Sequence, residues 1–172
     1  MSRSKQLLIL IGSSGSGKTY FSNQLRGIDD RCFIISSDNC RLRSTGRVNI
    51  FDKPLKHFNS MDLEICKALK KYDYVCYDAC SLTKFRRSML LRRVYKLGIK
   101  VEITGIVFRV PCKLCILRDK SELRNHHVGM FVILVSKFLS RFNRPSISEG
   151  FDKLITPKMY MKNNYNIDYK LI

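Results

Sequence analysis

Short aliphatic runs alternate along this chain with longer segments in which apolar residues recur at helical spacing. Continuous apolar runs indicate buried strands, and apolar residues at every third or fourth position indicate one buried face of a helix. Strands are predicted at 6–11, 32–36, 74–77, 101–108 and 151–155, and helices at 18–26, 59–71, 83–97, 111–118 and 129–142. Strands that alternate with helices favour an α/β fold, in which a central parallel sheet carries helices on both faces.

Two stretches lack such a pattern. Residues 41–58 are polar and basic and include Gly46 and Pro54, so we predict a loop with little regular structure there. Asn59 is the predicted N-cap of the helix that follows. The tail, 157–172, is rich in Tyr, Asn and Lys and receives no assignment.

The charge of the chain is high for its length. Its 172 residues fit a single domain, 1–172, with a sizeable core. Lys and Arg number 32 against 14 Asp and Glu, which gives a net charge of +18. Such a field attracts polyanions, so we expect a nucleic-acid partner; an anionic membrane surface and a small phosphate substrate are the alternatives. The Arg-rich helix over 84–96 is expected to be a solvated face that adds only non-specific attraction to nucleic acid.

The cysteines bear on the compartment. There are seven, an odd number, and several lie in apolar runs, so we expect reduced thiols in a cytoplasmic protein. Cys112 and Cys115 form a C-x-x-C pair, but no second ligand pair has zinc-binding spacing, since His126 and His127 are adjacent. Two half-buried thiols in the first turns of a helix are expected instead. No apolar run is long enough to span a membrane, so no membrane partner is predicted.

The most informative segment is GSSGSGKT, directly after the first predicted strand. It fits the pattern G-x-x-x-x-G-K-[ST] of a phosphate-binding loop, whose glycines let backbone N–H groups face the phosphates at a helix N-terminus. Lys18 can reach the β- and γ-phosphates of ATP or another NTP, and the Thr19 hydroxyl can ligate Mg²⁺. The candidate nucleotide-binding residues are Gly12, Ser13, Ser14, Gly15, Ser16, Gly17, Lys18 and Thr19.

Carboxylates follow the second and third predicted strands, where open α/β sheets bind their ligands. Asp38 can accept the proton of an attacking hydroxyl, and Arg41 can pair with Asp38 or hold a substrate phosphate. The alternative for Asp38 is a helix N-cap beside a surface arginine. Asp78 can bind metal-bound water or fix a substrate-binding arginine. The alternative role for Asp78 is to cap the segment that follows it.

A basic segment, about 118–128, separates two predicted helices. Phosphoryl transfer needs positive charge over the departing phosphate, and a flexible basic loop can supply it by closing over the site. We interpret this segment as a lid, with a solvated charge run as the alternative. Its basic residues are Arg118, Lys120, Arg124, His126 and His127.

The motifs, in this order and spacing over roughly residues 5–155, resemble the kinase domain of the 5′-hydroxyl polynucleotide kinases of bacteriophages and bacterial RNA-repair enzymes. The resemblance implies a P-loop kinase fold with a basic helical lid. It is carried by Gly12–Thr19, Ser37-Asp-x-x-Arg41, Tyr77-Asp78-Ala79-Cys80-Ser81, Leu117-Arg118-Asp119-Lys120 and Glu149-Gly150-Phe151.

The resemblance also implies roles for individual residues. Lys18 and Thr19 would bind ATP phosphates and Mg²⁺. Asp38 would be the general base on the 5′-hydroxyl, and Arg41 would engage the phosphate next to that hydroxyl. Asp78 would help to organise the acceptor site. The lid arginines would be Arg118, which completes the catalytic set, and Arg124.

Two departures from the family pattern concern the acceptor pocket and the lid. Cys80-Ser81 stands where the family has Thr-Asn or a similar pair, and His126-His127 stands where more arginine is expected. The chain carries neither an Asp-x-Asp-x-Thr phosphatase motif nor a ligase-like lysine motif, so we expect a kinase-only version.

We therefore predict ATP-dependent transfer of the γ-phosphate to the 5′-hydroxyl end of RNA or DNA. The first alternative is a kinase of the same fold that acts on a nucleoside, nucleotide or sugar, although a small acceptor needs no wide basic surface. The second is a non-catalytic, nucleotide-gated module that binds nucleic acid. The presence of both Asp38 and Arg41 argues against such a decayed acceptor site.

Overall fold

A computed structural model of the chain describes residues 4–28, 31–46, 54–121, 142–161 and 167–170. The strands of its main sheet are β1 (Lys5–Ile11), β2 (Cys32–Ser36), β3 (Tyr74–Asp78), β4 (Val101–Val107) and β5 (Lys153–Ile155). The helices are α1 (Lys18–Ile28), α2 (Ser37–Thr45), α3 (Pro54–Lys71), α4 (Lys84–Tyr95) and α5 (Cys112–Ser121).

The five strands are all parallel and lie in the order β2-β3-β1-β4-β5. β1 is the central strand, and its residue Leu8 pairs with Cys76 of β3 and Thr104 of β4. The predicted α/β fold with a central parallel sheet is therefore confirmed. Because all carboxyl ends of the strands meet at one edge, the segments that follow β1, β2 and β3 lie side by side.

Helices cover both faces of the sheet, which explains why β1 is a continuous apolar run. Leu7 and Ile9 face a core formed with α3 and α4, which includes Met61 and Leu90. Leu10 points to the other face, into a core with α1. Burying both faces fixes the position of β1 and hence the position of the loop that follows it.

The prediction of a loop over 41–58 is wrong for 41–45 and 54–58, which are helical, while 47–53 lie outside the described residues. Residues 37–45 form α2, and α3 begins at Pro54, so Asn59 lies inside a helix and is not its N-cap. α2 is polar on nearly all sides and buries only Ser37, so its sequence has no apolar stripe. Gly46, with φ of 70°, ends α2 in the left-handed conformation that glycine adopts readily.

The expectation of a solvated basic face over 84–96 is also wrong for most of its arginines. Arg87 is fully buried and forms a bidentate ion pair with Glu149. Arg86 pairs with Asp62, which is buried, and Arg93 lies 3.5 Å from the same carboxylate. These arginines hold α4 against its neighbours instead of facing solvent.

The remaining predictions fall at the end of the chain. The first residues of the predicted lid, 118–121, are the last residues of α5. The rest of the lid, 122–128, and the predicted helix over 129–142, except for Phe142, lie outside the described residues. The unassigned tail contains β6 (Lys158–Met161) and β7 (Ile167–Lys170), which pair antiparallel as a separate two-stranded sheet. None of the described helices has the length and apolar character required to cross a membrane.

Candidate active site

The loop between β1 and α1 is fixed to the end of β3. The backbone N–H of Gly12 donates to the carbonyl of Cys80 at 3.0 Å. Lys18 is buried, and its ammonium donates to the carbonyl of Ser13 at 2.6 Å, on the same loop. Gly15 has φ of 71°, a conformation that favours glycine. The lysine and the loop backbone of the predicted phosphate-binding motif therefore lie together.

α5 packs directly on this loop. A Cβ atom at Gly15 would lie 2.4 Å from the carbonyl oxygen of Cys115, so no larger residue fits there. The Ser13 hydroxyl contacts the Cys115 sulfur at 3.3 Å, and Arg118 reaches the Gly15 carbonyl at 3.5 Å. Arg118 thus lies at the loop, whereas Arg124, His126 and His127 are outside the described residues.

The C-x-x-C pair belongs to this packing contact. Cys112 is half-buried, as expected, but Cys115 is fully buried, which corrects the expectation for that residue. Burial raises the pKa of the Cys115 thiol, opposed by the hydrogen bond to Ser13 and by the charge of Lys18. A protonated, enclosed thiol is a packing group, not a nucleophile.

Asp78 lies at the carboxyl end of β3 and faces the start of α1. Its carboxylate accepts hydrogen bonds from the side chains of Thr19 and Ser22, the second at 3.4 Å. Burial raises the pKa of Asp78, and the charge of Lys18 and the Thr19 hydrogen bond act in the opposite direction. Asp78 is not a cap, because Thr83 caps α4 with its side chain.

Asp38 and Arg41 lie one turn apart on α2. Arg41 Nη1 donates to Asp38 Oδ1 at 2.7 Å, and Arg41 Nη2 donates to the hydroxyl of Ser37 at 2.9 Å. The N-cap of α2 is Ser36, so the N-cap alternative for Asp38 is wrong. Its carboxylate occupies the first turn, where the positive end of the helix dipole favours it.

His57 is a site residue that the sequence did not reveal. Its Nε2 lies 3.2 Å from the hydroxyl of Ser37, the group that also binds Arg41. Burial lowers the pKa of His57, and the charges of Arg41 and Arg86 lower it further, while Asp38 raises it. The sequence does not reveal it because the pattern over 41–58 predicts a loop; Pro54, a residue favoured in the first turn of a helix, is the signal available.

Asp78 connects the two halves of the site. Ser36 pairs in register with Asp78, so α2 begins beside the end of β3. The charge of Lys18 lowers the pKa of the Asp78 carboxyl, and the charge of Asp38 raises it. The structure therefore places Lys18, Thr19, Asp38 and Asp78 at one edge of the sheet, with Arg41 bound to Asp38.

The closing motif Glu149-Gly150-Phe151 supports the site from a distance. Both oxygens of Glu149 accept from Arg87, whose Nη1 also donates to the carbonyl of Ser81 at 3.0 Å. Ser81 itself has φ of 46°, a strained value for a residue other than glycine. The buried ion pair thus fixes the segment that follows Asp78.

The residues at the start of α1 suit Mg²⁺ chemically. Magnesium bound with a nucleotide typically takes one protein hydroxyl, phosphate oxygens and waters, and needs no cage of protein ligands. Thr19 offers the hydroxyl, and Asp78 beside it offers a carboxylate that can receive a bound water. No cluster of three or more His, Cys, Asp or Glu side chains with metal-binding geometry occurs among the described residues.

Comparison with known proteins supports the fold. No family model and no curated protein matches this sequence. Among solved structures, a fungal RNA kinase superimposes with a TM-score of 0.65 at 16% identity, covering 95% of this chain and 79% of that one. The APS kinase CysC of Mycobacterium tuberculosis, in complex with AMPPNP and APS, gives 0.65 at 15% identity over 91% and 90% of the two chains.

A chain of the Pnkp1/Rnl/Hen1 RNA repair complex gives a TM-score of 0.61 at 18% identity, over 83% of this chain. This chain covers 48% of that longer one. The three structures share the P-loop kinase fold but differ in what their names say they act on. The chain therefore has the P-loop kinase fold.

Proposed function

We propose that this protein is an ATP-dependent kinase that phosphorylates the 5′-hydroxyl ends of RNA or DNA. The observation that carries the proposal is the ion pair of Asp38 with Arg41, held beside Asp78 at the edge of the sheet where Lys18 also lies. A carboxylate next to a guanidinium suits an acceptor that presents a hydroxyl beside a phosphate.

Each residue has a role in the proposed transfer. The 5′-oxygen forms a bond to the γ-phosphorus while the bond from that phosphorus to the β,γ-bridging oxygen breaks, and ADP leaves with the electron pair. Asp38 takes the proton of the hydroxyl, and Arg41 holds the neighbouring phosphate. Lys18 and Arg118 offset the charge that develops on the transferred group.

Residues around Thr19 would hold the metal. Thr19 would ligate Mg²⁺ and Asp78 would orient its water, and the ion, when bound, would neutralise charge on the β- and γ-phosphates. Arg124 is assigned as a second lid arginine on the resemblance alone. The proposal includes a cytoplasmic location, which the reduced, buried thiols of Cys32 and Cys76 support.

The net charge of +18 supports a polyanionic acceptor over a small one. Two of the compared structures, a fungal RNA kinase and a chain of an RNA repair complex, support the same choice. APS kinase, with a similar TM-score, represents the small-molecule alternative.

An acceptor panel tests the proposal. ADP release from ATP·Mg²⁺ would be measured separately with five acceptors. Two are oligonucleotides of the same sequence, one with a 5′-hydroxyl and one with a 5′-phosphate, and the other three are a nucleoside, a nucleotide and a sugar. Lys18→Met serves as the control for nucleotide turnover. We expect acceptor-dependent ADP release with the 5′-hydroxyl strand only. Release stimulated by a small acceptor, and not by the strand, would favour the small-molecule kinase.

A further inference from the structure

α4 exposes one face that its buried arginines do not explain. The face consists of six residues that fall within about a third of the helix circumference, at 100° per residue. Phe85 and Tyr95 are 65% and 58% exposed, which is unusual for large aromatic side chains. We call this surface the α4 face, and none of its residues is acidic. Its six residues are Phe85, Ser88, Met89, Arg92, Tyr95 and Lys96.

The cations of the α4 face differ from the three other arginines of the helix. Arg86, Arg87 and Arg93 are engaged with carboxylates inside the protein. Arg92 and Lys96 are exposed, and no ion pair of theirs occurs within the described ranges. Their charge is therefore directed outward, beside the two exposed rings.

The ring of Tyr95 is held in place although most of it faces solvent. Its hydroxyl donates to the carbonyl of Gly150 at 2.6 Å. A Cβ atom at Gly150 would lie 2.8 Å from that hydroxyl, so the contact requires glycine. A ring fixed through its hydroxyl presents its surface with little loss of side-chain entropy on binding.

A groove of about 460 Å³ runs along this face, between α4 and the turn Ile147–Glu149. Its only acidic member, Glu149, has both carboxylate oxygens bound by the buried Arg87. The groove is therefore basic and partly aromatic. The lining residues are Ser88, Leu91, Arg92, Tyr95, Lys96 and Glu149.

We propose that the α4 face binds the body of a single-stranded nucleic acid, with bases stacked on Phe85 and Tyr95 and phosphates beside Arg92 and Lys96. Aromatic platforms combined with cations are the usual means of binding single strands without sequence preference. The rings are ten residues apart on α4, which separates their Cα atoms by about 15 Å along the helix. This span requires several nucleotides, so a mononucleotide cannot use both.

The position of α4 relates this surface to the acceptor site. The helix begins after Thr83, close in sequence to Asp78, and runs away from the carboxyl edge of the sheet. Phe85 is therefore at the end of the helix near the acceptor site, and Tyr95 is at the far end. This arrangement rests on the proposed function, because it makes the bound strand the continuation of the phosphorylated end.

The test separates binding from catalysis. Binding of a fluorescent, 5′-phosphorylated single strand would be measured by anisotropy over a series of salt concentrations. One variant, Phe85→Ala with Tyr95→Ala, removes the rings, and a second, Arg92→Gln with Lys96→Gln, removes the charges. Lys67→Gln with Lys70→Gln, on the exposed side of α3, is the control with the same change of charge. Phe85→Ala alone is the fallback if loss of the Tyr95 contact impairs folding.

We expect the ring variant to bind the strand on the order of tenfold more weakly for each ring lost. The charge variant should reduce the slope of log K against log salt by about 1.4, since each phosphate contact on a single strand contributes about 0.7. The α3 control should match wild type. Unchanged affinity and slope in both α4 variants would overturn the proposal, as would wild-type binding to anionic vesicles but not to the strand.

Phosphorylation of a dinucleotide acceptor tells the two proposals apart. A dinucleotide is too short to reach both rings, so the α4 variants should reduce its turnover much less than they reduce turnover of a long strand at low concentration. If wild type phosphorylates no 5′-hydroxyl end, the proposed function fails. Loss of strand binding in the variants would even then support the α4 face.

Discussion

Arg41 donates to the carboxylate of Asp38 across 2.7 Å, one turn away on the same helix. The same guanidinium binds Ser37, whose hydroxyl contacts His57. The proposed general base and the proposed phosphate-binding group therefore hold each other in place. A substitution at either position is expected to disturb both proton transfer and acceptor binding.

Asp38→Asn tests the proton-transfer role with little change of shape. The amide oxygen can still accept from Arg41, but the side chain no longer takes up a proton. We expect kcat to fall on the order of 10²–10⁴-fold, the usual contribution of a general base. ATP affinity, measured by equilibrium binding, should be unchanged. A variant that retains wild-type kcat would remove Asp38 from the mechanism.

Asp78→Asn is expected to stabilise the protein while impairing its activity. Burial raises the pKa of Asp78, so the folded state binds the proton more tightly than the unfolded chain. Stability linked to this group is present below its ordinary pKa of 3.8 and is lost as pH rises through the higher folded value.

At neutral pH, Asp78→Asn should therefore have a higher melting temperature than wild type. For a chain of this length, each kcal/mol added to the free energy of unfolding raises the melting temperature by about 2–4 °C. The gain should shrink as the pH is lowered toward the ordinary pKa. The same variant should need more Mg²⁺ for half-maximal turnover. A lower melting temperature at pH 7 would show that the contacts with Thr19 and Lys18 outweigh burial.

His57 should make stability fall in mild acid. Its pKa lies below the ordinary value of 6.5, because of burial first and then the nearby charges of Arg41 and Arg86. The unfolded chain then binds the proton more readily, so the stability linked to His57 is present above pH 6.5 and is lost below it. In His57→Gln this loss should be absent, which denaturant unfolding from pH 8 to pH 5 would reveal as a flatter profile.

Ser81 stands in a backbone conformation that suits glycine. With φ of 46°, the strain caused by a Cβ atom costs about 1–2 kcal/mol of stability. Glycine relieves this strain, but it also makes the unfolded chain more flexible, which cancels part of the gain. We expect Ser81→Gly to be more stable than Ser81→Ala by about 0.5–1 kcal/mol. Both variants lose the hydroxyl, so their comparison isolates the backbone term. An alanine variant as stable as the glycine variant would argue against strain.

The ion pair of Arg87 with Glu149 should be a requirement for stability and not for chemistry. Both side chains are almost completely buried, so Glu149→Ala leaves a guanidinium without its carboxylate. The expected cost is about 3–5 kcal/mol in the free energy of unfolding. Lys153–Glu102, an exposed pair, is the matched control, and Glu102→Ala should have little effect on the free energy of unfolding, because solvent screens an exposed ion pair. Comparable losses in the two variants would contradict this assignment.

The main sheet and the nucleotide loop could be predicted because their signals are local. β1 is a continuous apolar run followed at once by Gly12, and β2, β3 and β4 also consist mainly of buried or half-buried apolar residues. α2 could not be predicted in this way, because it buries a single residue and is polar on its other sides. Its end at Gly46 and the start of α3 at Pro54 were marked only by the residues that terminate and begin helices.

Contacts between distant parts of the chain could not be predicted from the sequence either. Arg87 and Arg92 are five residues apart on α4, and one is fully buried while the other is exposed. Their fates differ because Glu149, far along the chain, folds back onto the first. The position of His57 in the site could not be predicted either, because it depends on the first turn of α3, which lies within the predicted loop.

Transfer of labelled γ-phosphate from ATP·Mg²⁺ to a 5′-hydroxyl oligonucleotide tests the central claim most directly. The same strand with a 5′-phosphate is the acceptor control, and Asp38→Asn is the enzyme control. We predict label on the 5′-terminal nucleotide of the hydroxyl strand alone, with transfer strongly reduced in the variant. ATP binding without label on any RNA or DNA end would contradict the account and would point to a small acceptor.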